Sequence, residues 1–177
     1  MRLVLLIACL VLVPALAASQ TPSASPPPPP AGCTSAESHQ FDFWVGRWTV
    51  SPTNAPERHV ADSLIEKLYG GCAIRENWMP LGASGGGSLS SYVPRDKTWR
   101  QTWVDSSGST VDFKGGWTGK AMVLTGVWAV PGHDKRMTEM TYAKAADGSV
   151  RQSGRTSDDG GKTWQPSFDL TYRPAKA

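Results

Sequence analysis

Apolar and polar residues alternate along most of the chain beyond residue 40, and no segment keeps a sustained helical period. Residues 98–104 (TWRQTWV), 109–117 (STVDFKGGW), 120–130 (KAMVLTGVWAV) and 136–143 (RMTEMTYA) are rich in Val, Thr, Tyr and Trp and read as strands. Residues 43–50, 59–69, 72–78 and 88–93 read the same way. One helix competes: in ERHVADSLIEKL (57–68), Val60, Leu64 and Leu68 stand four apart. The strand reading is preferred there, because Gly70 and Gly71 lead straight into another β-like run. Turn signals PRDK, DSSG, PGHD and ADGS punctuate these segments about every ten residues, the rhythm of an antiparallel meander. About nine or ten such strands would leave exposed edges in a flat sheet, so the expected fold is all-β, an antiparallel up-and-down barrel.

The final third repeats this logic as strand, Asp-Gly turn, strand, Asp-Gly-Gly turn, strand. Ser157-x-Asp159-x-Gly161-x-Thr163-Trp164 matches the Asp-box, a hairpin motif of many β proteins, some glycosidases among them. Its expected role is structural: Asp159 accepts turn N–H groups, Gly161 supplies positive φ, and Trp164 caps the hairpin. The alternating ligands of a calcium loop are missing, and Thr156 stands where a phosphate loop needs its first glycine.

The N-terminal composition points to export, and export bears on the cysteines. Residues 1–18 carry one Arg, an apolar run and a small-residue end, the pattern of a cleaved signal peptide. Lipidation at Cys9 is the alternative, although it would cut the apolar run in half. Residues 19–38 hold five consecutive prolines and read as a Pro-rich disordered linker, leaving 39–177 as a single barrel domain. Cys33 and Cys72 then remain as an even pair in an oxidising compartment, which predicts a disulfide worth on the order of 3–4 kcal/mol. The expected location is secreted or periplasmic, with no stable membrane insertion after cleavage. A formal net charge of +3 with scattered Lys and Arg argues against nucleic acid.

Candidate chemistry is sparse. Gly82-Ala83-Ser84-Gly85-Gly86 has the letters of a nucleophile elbow but is followed by a strand-like run, which makes it a loop. His39, His59 and His133 have no ligand spacing, so no metal is expected. Glu76 and Glu139 sit inside strands. If either turns inward, burial raises its pKa, or Arg75, Arg100 or Arg155 pairs with it. All eight tryptophans fall in the domain. Trp99 and Trp103 share a strand face, as do Phe113, Gly115 and Trp117, then Leu124, Gly126 and Trp128. Glycines beside indoles suggest a lumen with room in it; the alternative is that the indoles simply fill the core.

FDFWVGRWTV (41–50) resembles the barrel-opening G-x-W signature of the calycins, carried by Gly46, Arg47 and Trp48. That resemblance implies a tryptophan closing the barrel floor, with Arg173 of DLTYRP lying over Trp48 in a cation–π contact. Taken with ENWMP and SDDGGKTWQPSFDLTYRP, the chain is similar over residues 40–174 to the exported bacterial proteins known as domain of unknown function 1579. That family implies a calycin-like barrel and no established activity. Haem barrels of the nitrobindin type use a histidine on a late strand. Here the last histidine is His133, in a turn, so haem is disfavoured and no cofactor is expected.

The expectation is an exported protein holding a small apolar or aromatic ligand. Candidate contacts are Trp78, Tyr92, Trp103, Phe113, Trp117, Trp128, Tyr142, Glu76 and Glu139. Two alternatives stay open: an enzyme using Glu76 or Glu139 as acid/base, and a structural or envelope-interaction protein with a filled core.

Overall fold

The computed structural model describes residues 33–176. Ten strands run β1 (Gly46–Pro52), β2 (Ala61–Leu68), β3 (Ala73–Pro80), β4 (Gly86–Val93), β5 (Thr98–Asp105), β6 (Thr110–Trp117), β7 (Met122–Val127), β8 (Met137–Lys144), β9 (Val150–Ser157) and β10 (Gln165–Pro174). Each pairs antiparallel with its sequence neighbours, and β1 pairs with β10 from Trp48↔Pro174 to Pro52↔Leu170, so the barrel is closed. Closure pairs the edge of the first strand with that of the last.

Burial alternates as the sequence pattern requires. In β2, Ala61, Ser63 and Ile65 are buried, while Leu64 faces the outer side. The helical reading of 57–68 fails for that reason: the core takes every second residue, not every fourth. Short turns are stapled by their own acids. Asp105 accepts from the backbone N–H of Ser107 at 2.9 Å, and Asp147 from that of Ser149 at 2.9 Å. β10 carries a bulge between Pro166 and Phe168, which suits a proline in a strand.

The expected strand 43–50 begins late. Two 3₁₀ turns, Ala36–His39 and Asp42–Trp44, precede β1 and form a stopper across one end of the barrel. Phe41 and Trp44 are fully buried there. Phe41 stacks on Trp44 at 5.0 Å and meets Tyr142 edge-on at 5.0 Å. Phe43, beside them, packs on Trp117 at 5.6 Å. The folded unit thus reaches back into the stretch that composition assigned to the linker. Cys33 is bonded to Cys72, just ahead of β3, which ties the start of the stopper to the closed end. Residues 1–32, including the expected signal peptide, Cys9 and the proline run, lie outside the described residues.

The expected Arg173–Trp48 contact is not formed. Arg173 lies on the exposed outer face, because the inward position of β10 at that level belongs to Tyr172. Tyr172 meets Trp48 edge-on at 6.4 Å, and the Trp48 indole N–H donates to the Trp44 carbonyl at 2.9 Å. The floor tryptophan is held by the stopper and an aromatic ring, not by a guanidinium. The cation–π pair that does form has Arg155 over Trp164, at 4.7 Å, on the outside.

Candidate functional site

The lumen divides into three levels. Below, toward the stopper, aromatic rings fill it. Across the middle runs a polar belt. Above the belt is a cavity of about 170 Å³ opening toward the other end. That is space for about six waters, and walls that are mostly apolar suit an organic ligand better.

The belt is built where seven strands, β2 to β5 and β8 to β10, place polar residues inward. Glu76 follows Ile74 and precedes Trp78 on the inner face of β3. Ser63 of β2 donates to Glu76 Oε1 at 3.3 Å, and Ser88 of β4 to Oε2 at 3.2 Å. Tyr172 donates to Gln152 Oε1 at 2.6 Å, with Glu76 Oε1 further off at 3.5 Å. Gln152 Nε2 donates to the Tyr142 hydroxyl at 3.1 Å, and Tyr142 to Gln101 Oε1 at 3.4 Å. Gln101 Nε2 reaches Ser90 at 3.0 Å.

Glu76 is only 5% exposed, and its partners are all hydroxyls. Burial pushes its pKa from an ordinary 4.5 to about 7, against the lowering effect of Ser88, Ser63 and Tyr172. The phenols of Tyr142 and Tyr172 are pushed up, first by burial and then by the nearby carboxylate, so both stay protonated. Among the described residues no Lys, Arg or His lines the cavity.

Trp78, Trp103 and Trp128 form the upper wall with Phe168 and Leu170. Two of these indoles have their N–H groups tied off at the rim. Trp103 donates to Asp105 at 3.1 Å, and Trp128 to Ser109 at 2.9 Å. What they present inward is therefore hydrocarbon and π surface.

Of the residues named from sequence, Glu76, Trp78, Trp103, Phe113, Trp128 and Tyr142 line the cavity. Three do not. Tyr92 packs on Trp99 at 6.1 Å and Trp117 on Phe43, both toward the closed end. Glu139 lies outside, where Arg155 donates to it at 2.8 Å. Gln101, Met140, Gln152, Phe168, Leu170 and Tyr172 were missed as lining residues. Inward alternation from Tyr142 and Trp103 would have found Met140 and Gln101. In β10 the same spacing of two links Tyr172, Leu170 and Phe168, all on one side of the bulge.

The interior glycines also mean something else than expected. A Cβ on Gly126 would meet the Asp112 carbonyl oxygen at 2.5 Å, and one on Gly154 the Phe168 ring at 2.2 Å. They permit close approach and do not leave gaps.

Elsewhere the sequence motifs behave as structure. Asp159 accepts from the backbone N–H of Lys162 at 3.0 Å and of Thr163 at 2.9 Å, and from the Thr163 hydroxyl at 2.6 Å. These bonds hold its carboxyl well below the usual range. Gly160 and Gly161 have φ of 73° and 87°, and Trp164 donates to the Gly161 carbonyl at 3.0 Å. Ser84 sits in the β3–β4 loop, where its carbonyl accepts from Ser106, and no helix follows it. All three histidines are exposed, and each pairs with an aspartate: His39 with Asp42, His59 with Asp62 and His133 with Asp158. A scan of protein-family models and a search of curated proteins return no match for this chain.

Proposed function

We propose that this chain is a small-molecule-binding barrel whose ligand sits above the polar belt, with its apolar body among Trp78, Trp103 and Trp128. The observation that carries this reading is the cavity of about 170 Å³, walled by half-buried aromatics and floored by the polar belt. A protein acting only through its surface has no need of that space, since filling it would add stability. Export, and kinship with the calycin-like family suggested by FDFWVGRW and the C-terminal motifs, belong to the same proposal. The Cys33–Cys72 bond supports an oxidising location.

An acid/base enzyme is the second reading, favoured by the raised pKa of Glu76 in a cavity. Binding is preferred because the two phenols beside it are held protonated and, among the described residues, no cation lines the site to stabilise developing charge. Tryptophan fluorescence, titrated with a panel of apolar and aromatic compounds, tests the proposal. Trp103→Ala or Trp128→Ala should weaken binding about tenfold with little loss of fold, whereas Trp117→Ala should leave affinity unchanged. A panel that leaves the emission unmoved, or a Trp117 variant that alone loses binding, would overturn it.

A further inference from the structure

The belt is short of donors, and this bears on what the cavity accepts. The hydroxyls of Ser63, Ser88, Tyr142 and Tyr172 are all donated within the belt. Gln152 likewise gives its amide hydrogens to Tyr142 and to the Met140 sulfur, at 3.1 and 3.6 Å. The amide oxygens of Gln101 and Gln152 already accept from Tyr142 and Tyr172, so the acceptor left undersupplied beside the cavity is the Glu76 carboxylate. The hydroxyl contacts to Glu76 are long, at 3.2 to 3.5 Å, and among the described residues no cation answers its charge. Arg75, next in sequence, points outward and is taken by Glu66.

Resting on the binding reading above, we infer that the ligand carries a protonated amine, which docks on Glu76 while an apolar body lies among the indoles. An ammonium group supplies the donors the floor lacks and the charge the carboxylate lacks. Trp78, Trp103 and Trp128 add π surface of the kind that attracts organic cations. An anionic group would meet Glu76 with nothing positive beside it. A neutral acceptor would find the belt's hydroxyls already committed.

Burial raises the pKa of Glu76, and a bound ammonium would draw it back down. Among the described residues, Tyr142 and Tyr172 are the titratable groups facing Glu76 from the other strands, and both stay protonated. Amine affinity should therefore fall as pH drops from near 8 to near 5, because Glu76 must give up its proton to pair.

The test compares phenethylamine, phenethyl alcohol and hydrocinnamate, which share a phenyl group and spacer, by calorimetry and tryptophan fluorescence on the purified protein. The amine should bind about tenfold or more tightly than the alcohol near pH 8, and hydrocinnamate weakest of the three. Glu76→Gln should erase the amine's advantage and its pH dependence while leaving the alcohol's affinity within about threefold. Equal affinity for amine and alcohol, tightest binding by hydrocinnamate, or an amine preference that survives Glu76→Gln would overturn the inference and leave the cavity reading standing. If none of the three binds and the wider aromatic panel is silent too, both fall. Should Glu76→Gln fail to fold, the ranking of the three compounds on the unaltered protein decides the matter alone.

Discussion

The two halves of this barrel are built from the same residue types and put to opposite use. Toward the stopper, Phe41, Trp44, Trp48 and Trp99 are at most 5% exposed and pack ring on ring. Toward the mouth, Trp78, Trp103 and Trp128 are half-buried and stand around a void. The difference does not lie in composition. It lies in what reaches each end: a buried 3₁₀ segment fills one, while turns such as Ser106–Ser109 merely rim the other. An indole with rings on all sides is core, and an indole backed by a rim hydrogen bond is wall.

Mutations should separate the halves. Trp44→Ala removes a fully buried indole from the stopper and should cost about 4 kcal/mol in urea unfolding, whereas Trp103→Ala at the mouth should cost about 1 kcal/mol. Comparable losses at the two sites would mean that the mouth is packed as tightly as the floor.

The belt between the halves responds to pH. The folded-state pKa of Glu76 is raised, so this group's contribution to stability is fullest below 4.5 and is lost as pH rises toward about 7. Glu76→Gln should therefore be the more stable form above pH 7 by about 3 kcal/mol, the difference vanishing below pH 4.5. Chemical denaturation at both extremes checks the sign. A variant less stable than the parent near pH 8 would place a cation beside the carboxylate.

Smaller effects sharpen the picture at the outside. Asp159→Ala should lower Tm modestly and speed amide exchange in residues 158–164, without touching the stopper, because its bonds stay within the hairpin. Arg173→Ala should change stability by less than about 0.5 kcal/mol, as fits an exposed side chain. A loss of several times that would restore the guanidinium to the floor.

Period-two patterning is a local property, which is why every strand was legible in the sequence, even where Val60, Leu64 and Leu68 imitated a helix. The Asp159 staple was legible for the same reason: its donors and acceptors lie within seven residues, Ser157 to Thr163. The site was half legible. Alternation puts Glu76 and Trp103 on inner faces, yet it does not say at what height the barrel stops being filled. That depends on the stopper, in which Phe43 and Trp44 read as a strand start because aromatic residues have β character. Arg173 was misplaced by one residue of register, enough to move a side chain across the sheet. Glu139 was lost to the same arithmetic.

One consequence of the barrel's closure concerns handling. The described chain begins at Cys33, fastened beside the closed end, and its last segment leaves β10 there as well, with Ala175 N–H bonded to the Arg47 carbonyl at 2.9 Å. Anything joined directly ahead of Cys33 or directly after Lys176, whether a fluorescent reporter, a purification handle or a solid support, attaches at the closed end, away from the mouth. The chain could also be rejoined at that end and cut instead in the Gly82–Gly85 loop, giving a permuted protein with a severed rim and an undisturbed base.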